Sequence, residues 1–222
     1  MDTRQLAGSI KAEVADIRIA PIPSEGGVLV DTNVLYFSYY DRFSQLETLG
    51  EGPSKYQTSV YSPFLKGLLS SGVKGFVHRI GLYEFSRTVE TAELQILYCE
   101  KMGVSHVDRE RFRPKELRTQ HLKDWKEIQQ RIVIYLHSIV KTFQLLNPSA
   151  AIDVMAAEFL LEWKDSLGDV GDAMMIAEAK REGIKAVLSD DVDIATFREI
   201  RLYTGNSTVL QAWQQKLAAK SG

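Results

Sequence analysis

The sequence predicts an α/β domain in which a central, mostly parallel sheet is covered by helices on both faces, a three-layer α/β/α arrangement. Two observations predict it. Short apolar runs of strand length recur along the chain, at residues 28–31, 75–78, 143–146, 185–188 and 200–203, and stretches with helical spacing separate them. Strands that alternate with helices pair in parallel, because each crossover carries the chain back to the same end of the sheet.

Residues 1–26 read as an N-terminal arm. A weak amphipathic helix (Leu6, Ile10, Val14, Ile17) is followed by Pro21, Pro23, Gly26 and Gly27. Val28-Leu29-Val30 is a buried strand bounded by a glycine pair and by Asp31-Thr32-Asn33, and a helix follows from Asn33. Residues 44–60 are polar, contain Gly50, Gly52 and Pro53, and predict a loop. Pro63 then opens a helix to Leu69, in keeping with proline's preference for a first turn. Gly75-Phe-Val-His78 is a second strand, with a helix from about Ile80 to Lys101. Pro114 precedes a long helical pattern through Leu117, Leu122, Trp125, Ile128, Ile132, Tyr135, Leu136 and Ile139. Phe143 to Leu146 reads as a strand stopped by Asn147-Pro148, with a helix over 149–163. A loop at 168–171 leads to a helix over 172–182 that Gly183 caps. A strand at 185–188, a short helix at 194–200, a strand at 200–203 and an amphipathic helix over 208–219 complete the chain. The main domain spans 27–222, with a helical insertion at about 101–140.

The chain has 222 residues, 45% of them hydrophobic and 25% charged, enough for one domain with a real core. Its single cysteine, Cys99, excludes an internal disulfide and a Cys-x-x-Cys metal site, and favours a reducing, cytoplasmic setting. Asp2, Lys11 and Glu13 break any secretory apolar run, and no stretch is long and apolar enough to predict a membrane span. A net charge of −2 does not mark a general polyanion binder, so nucleic-acid contact requires local basic surface. Such a surface exists between residues 101 and 131, where nine lysines and arginines face five acids. Arg109, Arg111 and Arg113 make it a candidate RNA track, with Phe112 and Trp125 either stacking on bases or packing inward. His78, His106, His121 and His137 have no ligand-like spacing.

The acids carry more information. Asp31 closes the first strand, Glu84 lies among the apolar residues of the helix leaving the second, Asp172 opens a helix rich in alanine, and Asp190, Asp191 and Asp193 follow a later strand. Taken singly, Asp31 suits a helix cap, Asp172 a first-turn acid and the Asp190–Asp193 cluster a solvated turn. Taken together, they border one crevice at the carboxyl edge of the sheet. Carboxylates converging there repel one another unless a hard cation neutralises them, which points to metal-dependent chemistry on phosphates.

With Val-Leu-Val-Asp31-Thr32-Asn33, Leu-Tyr-Glu84-Phe, Gly-Asp172-Ala-Met-Met-Ile-Ala177 and Ser189-Asp190-Asp191-Val192-Asp193, the chain resembles the PIN-domain ribonucleases between residues 28 and 194. Ser189 stands where that family usually has Thr, and Ile194 where it usually has Phe. The resemblance implies a PIN-like fold and a metal-dependent endoribonuclease that holds Mg²⁺ or Mn²⁺. It assigns metal binding to Asp31, Glu84, Asp172, Asp190, Asp191 and Asp193, with Asp191 favoured over Asp190 by the alternation Ser189-x-Asp191-x-Asp193. It gives Glu84 the role of ligand or of base for the attacking water. Thr32 and Ser189 become candidate partners of a carboxylate or a phosphate. Arg87, three residues beyond Glu84 on the same helix face, becomes a phosphate contact or a surface ion pair. The partners implied are RNA, an antitoxin-like inhibitor protein as in toxin–antitoxin modules, and a second copy in a homodimer, with no membrane. Two other readings stand beside it: a haloacid-dehalogenase-like phosphatase, whose Asp-x-Asp motif Asn33 interrupts, and a PIN scaffold that binds RNA or protein without catalysis.

Overall fold

A computed structural model describes residues 2–23, 26–146 and 152–221. Among the described residues six strands form one all-parallel sheet: β1 (Glu13–Asp16), β2 (Val28–Val30), β3 (Gly75–Val77), β4 (Gln144–Leu145), β5 (Ala186–Leu188) and β6 (Arg201–Thr204), in the order β1-β6-β5-β2-β3-β4. Among the described residues ten α-helices surround it. These are α1 (Thr3–Ser9), α2 (Thr32–Tyr39), α3 (Phe43–Thr48), α4 (Lys55–Ser70), α5 (Arg79–Met102), α6 (Pro114–Gln120), α7 (Leu122–Thr142), α8 (Ile152–Lys164), α9 (Val170–Arg181) and α10 (Ser207–Ser221).

The alternation of side chains along each strand sorts the helices into two layers. Val28, Val30, Val77, Leu188 and Tyr203 point to one face and pack with Val34 and Leu35 of α2, Leu65 and Leu68 of α4, Phe85 and Val89 of α5, and Ile139 of α7. Leu29, Val187 and Leu202 point to the other and pack with Leu6 of α1, Ala173 and Ile176 of α9, and Val209 and Ala212 of α10. A third, smaller cluster lies away from the sheet, where Leu94, Leu97 and Tyr98 of α5 meet Leu117 of α6 and Ile128 of α7.

Three expectations are corrected. The helical pattern through residue 17 ends at Ser9, and Val14 and Ala15 belong instead to β1, which pairs with β6 at the sheet edge. Their side chains enter opposite core layers, which strand geometry provides and a helix would not. The loop expected at 44–60 contains α3 and the first turns of α4, and Pro63 lies inside α4 rather than at its start. Ser54 and Gln57 open that helix, the Ser54 backbone N–H and hydroxyl both donating to Gln57 Oε1 at 2.8 and 3.0 Å. The short helix expected at 194–200 is a 3₁₀ turn over Asp193–Thr196. The Asn147-Pro148 stop and positions 149–151 of the helix expected after it lie outside the described residues.

The order of the strands fixes where a site can form. From β2 the chain moves to β3 and β4 on one side, then returns to place β5 and β6 on the other. The crossovers therefore diverge between β2 and β5, and such a switch point leaves a crevice beyond the carboxyl ends of the two strands.

Candidate active site

Asp31 and Ser189 are the first residues beyond β2 and β5, and the Asp31 backbone N–H donates to the Leu188 carbonyl at 3.0 Å. Asp31 caps α2, accepting from the Thr32 backbone N–H at 2.6 Å. Its other oxygen accepts from the Ser189 hydroxyl at 2.5 Å. Ser189, fully buried, also accepts from the Asp191 backbone N–H at 2.9 Å and so ties Asp31 to the loop that carries Asp191. Thr32 donates its hydroxyl to Glu84 Oε2 at 2.9 Å. Thr32 and Ser189 thus both serve carboxylates.

Glu84 and Asp172 arrive from opposite helix layers; Gly81 lets α5 approach Thr32 of α2, and Gly171 lies beside Glu84. A Cβ on Gly81 would stand 3.1 Å from Thr32 Oγ1, and one on Gly171 would stand 3.4 Å from Glu84 Oε1. Behind them, His78 accepts from the Ile80 backbone N–H through Nδ1 at 3.2 Å and donates from Nε2 to Glu178 at 2.9 Å. Both side chains are buried, and desolvation lowers the His78 pKa despite the carboxylate beside it. A neutral imidazole therefore joins the start of α5 to the middle of α9.

Asp172 is not the first residue of its helix. Asp169 caps α9, its carboxylate accepting from the Asp172 backbone N–H at 3.0 Å, while Asp172 Oδ2 accepts from the Asp169 backbone N–H at 3.1 Å. Asp169 is an acid of the cluster that the sequence reading passed over. Its signal was there, since an acid three residues ahead of another at a helix start is a capping-box spacing.

The electrostatics show which acids face one another. Burial pushes the Asp31 carboxyl up to about 6; Asp191 and Glu84 add to the rise, against the Ser189 and Thr32 hydrogen bonds. Asp172 is pushed up to about 8 by burial, then by Asp31, Asp169 and Asp191. Burial and then Asp191 and Asp169 raise Asp193. Among the described residues none of these acids has a cationic side chain within ion-pair distance.

Asp190 is set apart. Its carboxylate accepts from Tyr61 Oη at 2.7 Å, Tyr56 Oη at 2.9 Å and Gln57 Nε2 at 2.5 Å, so it is held by α4 on the far side of the loop. Its backbone is fixed as well: its N–H donates to Asn33 Oδ1 at 3.2 Å and its carbonyl accepts from Asn206 Nδ2 at 2.8 Å. Asp190 therefore leaves the expected ligand set and orients the loop. Arg87 is exposed and makes no ion pair among the described residues.

Five of the nine basic residues of this stretch form ion pairs, and three of those pairs join helices. Arg118 pairs with Glu90, Arg131 with Glu93, Lys101 with Asp124, Arg109 with Glu51 and Arg111 with Asp108. Phe112 packs edge-on against Tyr98, and Trp125 lies under the Arg118 guanidinium, so the two aromatics turn inward rather than outward to bases.

Among the described residues no three His, Cys, Asp or Glu side chains close tightly enough to hold a metal ion between them. The donor set nonetheless has the chemistry of a hard-cation site: carboxylate oxygens only, partly buried and without a cationic partner. Mg²⁺ keeps several waters and takes one or two carboxylates directly, so it does not require a closed protein cage. The chain matches no protein-family model and no curated protein.

Proposed function

We propose that this chain is a metal-dependent endoribonuclease of PIN-like fold. The observation that carries the reading is the uncompensated cluster of Asp31, Glu84, Asp172 and Asp191 at the switch point of the sheet, with two of its carboxyls raised by burial and by their neighbours.

Asp31 and Asp172 would hold the cation, with Asp191 and Asp193 completing the shell. A bound divalent ion polarises a phosphoryl oxygen and lowers the pKa of water. The chain's own residues do the rest. Ser189 fixes the rotamer of Asp31 and the position of Asp191 through one hydroxyl. Thr32 engages Glu84 Oε2 and leaves Oε1, near Gly171, to orient a water and accept its proton. Asp172, protonated over much of the neutral range when no cation is present, gives up that proton when the site fills.

Asn33 argues against the phosphatase reading. Where that chemistry needs an acid, its side chain binds the Asp190 backbone N–H and the Ser189 hydroxyl.

The test is titration with Mn²⁺ beside a cleavage assay. Binding should release protons near neutral pH. Asp31→Asn and Asp172→Asn should each lower cleavage of single-stranded RNA by about 10²–10³-fold while the proteins stay folded, the loss expected when a charge-stabilising group is removed. Full activity in both variants overturns the assignment. Metal binding without cleavage of any RNA selects the scaffold reading.

A further inference from the structure

One turn along α2 and α5 from the acidic cluster lies a groove. Thr32 and Glu84 meet at 2.9 Å, and one turn further along each helix stand Tyr36 and the pair Arg87 and Thr88. The groove is lined there by Tyr36, Gly52, Arg87, Thr88, Thr91 and Gln95. Leu46 and Gly52 form its outer wall. Gly52 has φ +101°, and a Cβ there would stand 3.2 Å from the Leu46 side chain, so the wall is built close by a residue that only glycine suits.

Among the described residues, Arg87 gives this lining its one cationic side chain. Arg87 is exposed and has no acid within ion-pair distance among the described residues, whereas acids nearby are engaged elsewhere: Glu90 with Arg118 and Glu51 with Arg109. Thr88 and Thr91 donate their hydroxyls back to the Glu84 and Arg87 carbonyls at 3.0 and 2.9 Å, so they border the groove without a proton to offer an anion, and Arg87 is the donor there. Three residues of α-helix rise about 4.5 Å, so Arg87 stands just beyond Glu84 along α5.

We propose that this groove binds the phosphate of the nucleotide next to the cleaved bond, with Arg87 as its cationic contact. The inference rests on the ribonuclease reading and adds the direction in which the RNA leaves the site: along α5, over Tyr36. Arg87 does not take part in the chemistry, so it governs affinity for strands long enough to reach it.

The test uses fluorescence anisotropy of a labelled decauridylate RNA in EDTA, where nothing is cut, across a salt series, with wild type, Arg87→Ala and Arg87→Lys. Cleavage of the same RNA is then assayed with Mg²⁺ or Mn²⁺. Arg87→Ala should bind about tenfold more weakly, the loss of one charge-assisted hydrogen bond. Its plot of log affinity against log salt should flatten by about 0.7, the value for one phosphate on a single strand. Arg87→Lys should keep the slope. An unchanged affinity and slope in Arg87→Ala overturns the subsite even where the wild type cuts RNA. A wild type that binds RNA in an Arg87-dependent way and never cuts it overturns the nuclease reading and keeps the subsite. A wild type that neither binds nor cuts overturns both. Melting curves confirm that the variants fold, as expected for a change at an exposed side chain.

Discussion

Asp172 is a carboxyl placed where ionisation is costly. With ordinary values of 3.8, Asp31 and Asp172 titrate in the folded protein at about 6 and about 8. Between those limits the folded chain holds protons that the unfolded chain has released. The stability these two groups contribute is therefore fully present below about pH 4 and is lost as pH rises through about 6 and then about 8. In EDTA, Asp172→Asn should be more stable than wild type at about pH 8, and the gain should shrink by about pH 5. Urea unfolding at the two pH values measures it, and a constant difference would contradict the burial and repulsion described at Asp172. The same scale shows what a sequence can and cannot reveal. Asp190 and Asp191 are adjacent acids after a strand, and alternation sends them opposite ways. The alternation Ser189-x-Asp191-x-Asp193 favours Asp191 in the sequence, and nothing there points to Tyr56, Gln57 and Tyr61, more than a hundred residues away, as the hosts of Asp190.

At the scale of the element, close approach of α9 and anchoring of α5 set the geometry. A Cβ on Gly168 would stand 2.6 Å from the buried Phe197 ring and 3.0 Å from Asp172 Cβ. Gly168→Ala should cost about 1–3 kcal/mol by overpacking and, by moving Asp172, lower cleavage more than stability alone explains. Matched urea melts and rates distinguish the two effects. Further along α5, the fully buried Glu93 carboxylate accepts from Arg42 at 2.5 Å, Arg131 Nη2 at 2.8 Å and Tyr40 Oη at 3.1 Å. Glu93→Gln should lower stability by about 2 kcal/mol, less than a wholly buried pair because both arginines reach solvent. Elements whose apolar period was clean, such as β2, β3 and β5, were legible in the sequence, whereas the single pattern from Leu117 to Ile139 is two helices, α6 and α7, that meet at His121. Elements whose partners lie elsewhere were not legible. β1 continues the helical spacing of Leu6 and Ile10 and becomes a strand only because β6 offers it an edge. The polar first turns of α4 look like a loop until Tyr61 is seen buried against Asp190 and Thr204.

For the whole molecule, one all-parallel sheet between two helix layers brings acids from positions 31, 84, 172 and 191 to one edge. That convergence was legible, because any parallel α/β chain delivers its strand ends to the same side. The depth of the site, its glycine approaches and Asp169 were not, since they depend on how closely α5 and α9 meet. A cation that binds only the folded site must stabilise it. Mg²⁺ or Mn²⁺ at about 100 times its dissociation constant should add about 2.7 kcal/mol, read as a raised melting temperature that EDTA reverses. No described helix is long and apolar enough to cross a membrane.

The most direct measurement is cleavage of a mixed RNA pool with Mg²⁺ or Mn²⁺, wild type beside Asp172→Asn, with the cut sites sequenced. The acidic cluster as a cation-holding nuclease centre predicts internal cuts by the wild type that EDTA stops and the variant lacks. Cuts that persist in the variant or in EDTA, or no cuts by the wild type, would contradict it.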